Sequence, residues 1–394
     1  MSRDLSRLDS FLADNGFDGY LVADDGDDSD QRYLSGFHAP DEFVTLRADG
    51  ETHLLVSGLE YGRATKEAEA DHVVRYSDYD WAETVEEFGR EEARVRVFAD
   101  FVADCGDGAT DLSVPASFPL GTADPLRERG LSLAAETDEV VTEIRATKTD
   151  EEVDAIREAQ RANEAAMARA EQLLREASVG NDGTLRHDGE VLTSERVTEA
   201  IEVTLLREGC ALDETIVACG SDAADPHDRG SGPLVAGESI IVDIFPRSKA
   251  TGYHSDMTRT FVKGEPSDEI ASWHALTDEA RETALDAVEP GVTGAAVHDA
   301  VCDVYEEAGH STLRSDPSTE TGFIHSTGHG VGLDVHELPR LSPSGGELEP
   351  GHVITIEPGL YDPAVGGVRI EDIVVVTEDG YENLVEYPIE LVVE

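Results

Sequence analysis

The sequence predicts a mixed α/β (α+β) chain of two domains, residues 1–140 and 141–394, on three observations. Helical and strand periodicities alternate over the first stretch. A highly charged segment near residues 136–150 interrupts them, and from Thr215 onward the chain changes to glycine-rich turns and short β-rich runs. Hydrophobic residues make up 39% of the 394 and recur along the whole length, enough for one large or two ordinary cores and too many for a disordered chain.

Residues 5–15 place Leu5, Leu8, Phe11 and Leu12 at helical spacing, and Gly16 ends the helix. A short strand is expected at 20–23 and a loop at 24–30. Residues 42–47 and 52–57 flank the turn Ala48-Asp49-Gly50 and read as a hairpin. Further strands are expected at 72–76 and 95–99, and helices near 59–69, 81–92 and 123–128. Beyond the boundary, residues 150–177 carry a helical stripe of Val153, Ile156, Ala159, Ala166 and Leu173. The polar stretch 180–189 interrupts, 194–208 is helical again, and helices at 269–288 and 293–309 lie among the β-rich runs.

Eighty-five acidic against 30 basic residues leave a net charge of −55. Such a surface repels phosphate and anionic headgroups, so nucleic acid and membrane are excluded as partners. The longest apolar stretches, near 237–245 and 373–377, are strand-sized and too short to span a bilayer. The amino-terminal segment has no apolar core behind its charges, so no secretory signal is expected and the cytoplasm is the expected location. Cys105, Cys210, Cys219 and Cys302 lack metal-ligand spacing and read as reduced thiols. Only Lys66, Lys148, Lys249 and Lys263 are lysines; the other basic residues are arginines. Together with the acidity, this suggests adaptation to molar salt, as in a halophile, where screening over a few ångströms suppresses self-repulsion.

An internal echo carries the chemistry. GESIIVD (237–243) and GHVITIE (351–357) each run from a glycine through a strand-like triplet to a carboxylate, Asp243 or Glu357. A second carboxylate follows each, Asp256 thirteen residues on and Glu371 fourteen on, before the β-rich MTRTFV or DIVVVT. Two related hairpins are expected, one acid per strand, packed face to face. The contexts IIVDIF, VITIEP and VRIEDIVVV are apolar on both faces, where a bare carboxylate costs roughly several kcal/mol. Arg259 and Arg369 are too few to neutralise four converging acids, which favours a metal site over an ion-pair network. HSTGHGVGLDVHE adds His325, His329 and His336 amid glycines that let the backbone come close to a ligand. The set Asp243, Asp256, His329, Glu357 and Glu371 is oxygen-rich with one nitrogen. It suits two adjacent ions of Mn²⁺ or Co²⁺ type better than a thiolate-rich zinc site.

In this order of ligands, and in SDMTRTF, GHGVGLDVHE, EPGLY and VRIED taken together, the chain resembles metallopeptidase family M24. That family includes aminopeptidase P, prolidase and methionine aminopeptidase, with a pita-bread fold built on an internal pseudo-twofold repeat. YLSGF (33–37) and the linker-like EIRATKTDEE extend the resemblance to an amino-terminal domain similar to that of prolidase and creatinase. The resemblance implies that Asp243 and Glu371 serve both ions, Asp256 one, and His329 with Glu357 the other, and that the chain forms a homodimer. Glu357, His227, His325, His336 and Arg369 are then the catalytic set, with Thr258 and Tyr361 supporting the ligands. The implied reaction is hydrolysis of a small peptide with proline at its second position, by a dipeptidase or aminopeptidase. A metal-bridging hydroxide would be the nucleophile, and two divalent ions, Mn²⁺ before Co²⁺ or Zn²⁺, the cofactor.

The chain also departs from the family pattern. Two more residues than usual separate Asp243 from Asp256, and the common glycine after the first aspartate is replaced within DIFPRSK. The lengthened turn, 246–252, reshapes a pocket wall, which keeps open an amidohydrolase of the same fold acting on a small non-peptide substrate. A non-enzymatic binding module is disfavoured because all five ligands are retained.

Overall fold

The computed structural model describes residues 3–106 and 108–394; Met1 and Ser2 of the amino-terminal segment lie outside the described residues. The chain divides into two compact units, one up to Arg145 and one from Ala146.

The first unit is a six-stranded sheet in the order β4-β3-β2-β1-β5-β6. Its strands are β1 (Gly19–Asp24), β2 (Phe43–Ala48), β3 (Glu51–Val56), β4 (His72–Arg75), β5 (Asp111–Pro115) and β6 (Ser132–Glu136). β2 and β3 form the expected hairpin, Ala48 opposite Glu51. Asp49 and Gly50 turn it at φ 51° and 77°, the doubly left-handed pair that two-residue hairpins favour. Helices α1 (Ser6–Asn15), α2 (Ser29–Ser35), α3 (Tyr61–Glu67), α4 (Trp81–Phe88), α5 (Arg90–Cys105), α6 (Leu120–Glu128) and α7 (Val140–Ala146) complete the order.

Three local expectations are corrected. Residues 95–99, expected as a strand, lie inside α5, where Val97, Phe98, Phe101 and Val102 recur at helical spacing and pack on Leu21, Val44 and Leu112 of the sheet. The single helix expected over 81–92 is broken at Gly89, whose φ of 82° separates α4 from α5. The loop expected at 24–30 ends early because the Asp28 carboxylate accepts from the Gln31 amide at 2.7 Å and starts α2 at Ser29.

The second unit opens with α8 (Asp150–Glu176), started by a reciprocal Thr149–Glu152 capping box. A small three-stranded sheet, β7 (Ser178–Val179), β8 (Leu185–His187) and β9 (Glu190–Val191), orders the polar stretch before α9 (Ser194–Arg207). Next come β10 (Cys210–Ala211), β11 (Thr215–Cys219), β12 (Ile240–Ile244), β13 (Arg247–Ser248) and β14 (Met257–Lys263). α10 (Asp268–Asp286) and α11 (Gly294–Glu307) follow. The chain then runs through β15 (Gly328–Gly330), β16 (Glu337–Leu341), β17 (Val353–Ile356), β18 (Gly359–Asp362), β19 (Gly366–Arg369), β20 (Asp372–Thr377), β21 (Gly380–Asn383) and β22 (Val392–Val393). Two principal sheets result, β11-β12-β14-β22 and β16-β15-β17-β20-β21.

Each sheet is covered on one face by a helix pair. Met167 and Leu174 of α8 and Ile201 and Leu205 of α9 pack on Val242, Ile244 and Phe261. Ala280 of α10 and Val297, Val301 and Tyr305 of α11 pack on Ile354, Ile356 and Val374. Strand alternation then turns Asp243, Thr258, Thr355 and their neighbours two residues away to the faces opposite the helices.

Both expected hairpins form, as antiparallel β12–β14 and β17–β20. They are not identical. Asp243 stands opposite Thr258, so Asp256 lies diagonally from it, whereas Ile356 stands opposite Asp372, which places Glu357 and Glu371 next in line across from each other. Only Asp243 lies within a strand; Asp256, Glu357 and Glu371 sit one residue beyond strand ends. There the carboxylates can converge without breaking the ladders.

Candidate metal centre

The two hairpins meet along β14. The Glu371 amide donates to the Thr258 carbonyl at 3.1 Å, and the Thr260 hydroxyl donates to the Arg369 carbonyl at 2.8 Å while accepting from the Arg369 amide at 3.0 Å. This seam brings the acids of one hairpin to those of the other.

Ligand atoms of Asp256, His329 and Glu371 all lie within 4.8 Å of one another. His329 sits between Gly328 and Gly330, where a Cβ at either glycine would fall 2.0 Å from a carbonyl oxygen, of Thr355 or Leu338. The glycine-flanked histidine of the sequence is therefore a demand of close strand approach. His329 Nδ1 bonds the Gly330 carbonyl at 3.1 Å, which makes Nδ1 the protonated nitrogen and leaves the Nε2 lone pair free. Nε2 points at the acids, 3.4 Å from Glu357 Oε1 and 3.8 Å from Asp256 Oδ2.

Behind the acids stands a buried hydrogen-bonded chain. Arg369 donates from Nη2 to Asp243 Oδ2 at 2.6 Å, from Nε to Thr258 Oγ1 at 3.2 Å and from Nη1 to the Tyr361 hydroxyl at 3.0 Å. The Thr258 hydroxyl donates onward to Glu371 Oε2 at 2.8 Å. His325 Nδ1 donates to the Ser326 carbonyl at 2.7 Å, so its Nε2 accepts from the Tyr361 hydroxyl at 2.9 Å. Both nitrogens of this imidazole, which the resemblance puts in the catalytic set, are thus engaged in the wall. His227 and His336 are exposed, and the His336 ring stands edge-on to that of His329 with centroids 4.2 Å apart.

The electrostatics record an uncompensated cluster. Burial first, then the charges of Glu371, Asp243 and Glu357, raise the Asp256 carboxyl well above the usual range. Burial, with Glu357 and Asp243, does the same to Glu371. Glu357 is pushed up to about 8, chiefly by burial, against the opposing charge of Arg369. His329 is lowered to about 3 by burial and then His336, and His325 to about 3 by burial and then Arg369, so both imidazoles are neutral. Asp243 Oδ1 is buried with no hydrogen-bond partner among the described residues. An orphaned carboxylate oxygen, converging acids and a neutral imidazole with an inward lone pair fit divalent cations of oxygen-preferring type. Among the described residues, this is the one group of three ligand side chains so arranged.

Sequence reasoning missed several supports. The Thr355 hydroxyl accepts from the His329 amide at 3.1 Å and donates to Glu357 Oε1 at 3.5 Å. Its place two residues before Glu357, on the same strand face, was a usable signal. Asn163, buried on α8, donates to the Ile244 carbonyl at 2.6 Å and the Ser255 hydroxyl at 3.4 Å, gripping the residues next to Asp243 and Asp256. Two amides, Gln160 and Asn163, in an otherwise apolar helical stripe could have flagged it. Within the lengthened turn β13 pairs with β10, and just beyond it the His254 amide donates to the Gly332 carbonyl at 2.8 Å.

Comparison with known proteins follows this division of the chain. The family model for metallopeptidase family M24 matches residues 154–378, more than half the chain and all five candidate ligands. The chain belongs to metallopeptidase family M24. A creatinase/prolidase N-terminal domain model matches residues 5–103. Among curated relatives, the probable dipeptidase PepE of Mycobacterium bovis is 42% identical over 181 residues, 45% of each chain. The chain thus spans less than half the length of the curated relatives it matches in this way. Among solved structures, the prolidase of Pyrococcus horikoshii OT3 is 26% identical, with a TM-score of 0.80 over 98% of this chain and 99% of its own. Dipeptidase PepE of Mycobacterium ulcerans is 30% identical, with a TM-score of 0.76 over 99% and 96%. The mixed α/β fold with its creatinase-like amino-terminal domain is therefore that of the M24 prolidases. No described helix is long and apolar enough to cross a membrane.

Proposed function

We propose that this M24 chain hydrolyses the amide bond ahead of proline in small peptides, as an Xaa-Pro dipeptidase or aminopeptidase. The observation that carries this reading is the convergence of Asp256, His329 and Glu371, whose ligand atoms lie within 4.8 Å of one another, with Glu357 3.4 Å from His329 and a buried, unpartnered carboxylate oxygen on Asp243. These five would hold two divalent ions, Mn²⁺ in the first instance. Such ions, when bound, polarise a carbonyl and lower the pKa of water.

The remaining roles fall to the chain itself. Glu357, largely buried beside the neutral His329, takes the proton of the attacking water and returns it to the leaving nitrogen. An Xaa-Pro bond offers no N–H, so the site needs no acceptor for one. His227 and His336, at the exposed side, donate to oxygen where negative charge develops. Arg369, Tyr361, His325 and Thr258 fix the orientation of Asp243 and Glu371 through their hydrogen bonds.

The lengthened turn favours a second reading, an amidohydrolase of a small non-peptide substrate, because just beyond it the His254 amide bonds the Gly332 carbonyl in the loop that carries His336. Hydrolysis of Ala-Pro, of Gly-Pro tripeptides and of ectoine-like cyclic amides, assayed with Mn²⁺ in molar KCl, separates the two. Cleavage of the proline substrates supports the peptidase; turnover of the cyclic amides alone replaces it.

The same proposal places the protein in the cytoplasm, as a homodimer, in molar salt. The net charge of −55 supports the salt requirement. Light scattering and unfolding against KCl test it; a monomer, or a fold indifferent to dilution into low salt, would remove these parts.

A further inference from the structure

Lys148 and Glu337 form an ion pair whose side chains are only 1% and 2% exposed. Lys148 Nζ also donates to the Ala146 carbonyl at 3.2 Å. A buried pair adds little over apolar residues of the same shape, so its presence in the core asks for another reason. Its position supplies one. Glu337 directly follows His336 and opens β16 opposite Gly330, so its backbone closes the loop 331–336 that begins just after His329. Its carboxylate reaches back into that loop: Oε2 accepts from the Asp334 amide at 3.5 Å, and Oε1 occupies the space beside Gly332, where a Cβ would fall 2.2 Å from it.

The other end of the pair is equally fixed. The Lys148 amide donates to the Gly351 carbonyl at 2.9 Å, two residues ahead of β17, the hairpin strand that Glu357 directly follows. Gly351 has φ 92°, and a Cβ there would fall 2.9 Å from the Lys148 carbonyl oxygen. Lys148 thus joins the Glu357 hairpin by its backbone and the His336 loop by its ammonium. The His336 imidazole is placed by the loop that carries it and by its edge-on contact with the His329 ring, centroids 4.2 Å apart.

We infer that Lys148 and Glu337 are positioning residues, a buried ionic post that sets the His336 imidazole relative to Glu357. This rests on the proposal that His336 acts in the reaction. Lys148→Met alone would strand a buried carboxylate and destabilise the chain, so the test removes both charges in Lys148→Met/Glu337→Gln, on full-length manganese-loaded protein with Ala-Pro. The expected result is a kcat lower by about tenfold with KM and metal content unchanged, as for a donor displaced by a fraction of an ångström. In a His336→Ala background, the same double change should leave kcat where His336→Ala put it. A wild-type kcat in the double variant, or a tenfold loss that persists without His336, overturns the inference. Should His336→Ala itself turn over normally, the reading of His336 fails separately. The His336 imidazole resonance of metal-free protein then decides on the post alone: shifted by the double change it stands, unmoved it falls.

Discussion

Arg369 Nη2 lies 2.6 Å from Asp243 Oδ2, and the other oxygen of that carboxylate is buried with no hydrogen-bond partner among the described residues. One guanidinium therefore meets a cluster of acids that it only partly neutralises. Arg369→Met should cost about 3–5 kcal/mol of stability in metal-free protein, because it leaves buried charge uncompensated. With Mn²⁺ present the loss should be smaller. Urea unfolding in EDTA and in Mn²⁺ measures both; equal losses would mean that no cation shares the task of Arg369.

The raised carboxyls make metal-free stability fall with pH. At low pH the acids are protonated in folded and unfolded chains alike. As pH climbs past their ordinary values of 3.8 for Asp256 and 4.5 for Glu357 and Glu371, the unfolded chain releases protons that the folded chain still holds. Stability is then lost at about 1.4 kcal/mol per unit of displaced pKa, and for Glu357 the loss ends near pH 8. Urea midpoints should drop from pH 5 to pH 8 in EDTA and stay level or rise in Mn²⁺, which binds the deprotonated acids. Surface charge is the same in both series, so parallel slopes would contradict the assignment.

Thr258 touches both Arg369 and Glu371 through one hydroxyl. Thr258→Val keeps the shape and removes both bonds. Metal affinity should weaken by about 10–100-fold, as for other partners of ligating groups. Competition against a chelator reads this directly, and an unchanged dissociation constant would place Thr258 outside the ligand-orienting network.

His336→Ala should retain metal and lower kcat by about a hundredfold, the loss of one donor at the developing charge. Metal analysis beside steady-state kinetics checks it. Loss of metal would instead make His336 part of the ligand set.

Asp243, Glu357 and Glu371 were legible in the sequence because each interrupts an apolar strand context, Asp256 only by its place in the repeat, and the histidines because glycines crowd them. The difference in register between the hairpins was not, since it depends on which residues pair across strands and not on spacing along them. Residues 95–99 misled because VRVFA alternates locally, while the helical pattern appears only once Phe101 and Val102 are included. β6 was missed because Ser-Leu-Ala-Ala-Glu has little strand preference and pairs only because β5 lies beside it. Lys148 and Glu337 are nearly two hundred residues apart, and nothing local marks either as buried.

Anomalous scattering at the manganese edge, on crystals grown with Mn²⁺, bears most directly on the dinuclear centre. Two peaks enclosed by Asp243, Asp256, His329, Glu357 and Glu371 are expected. A map without peaks there, with the acids paired among themselves or turned to solvent, would contradict it.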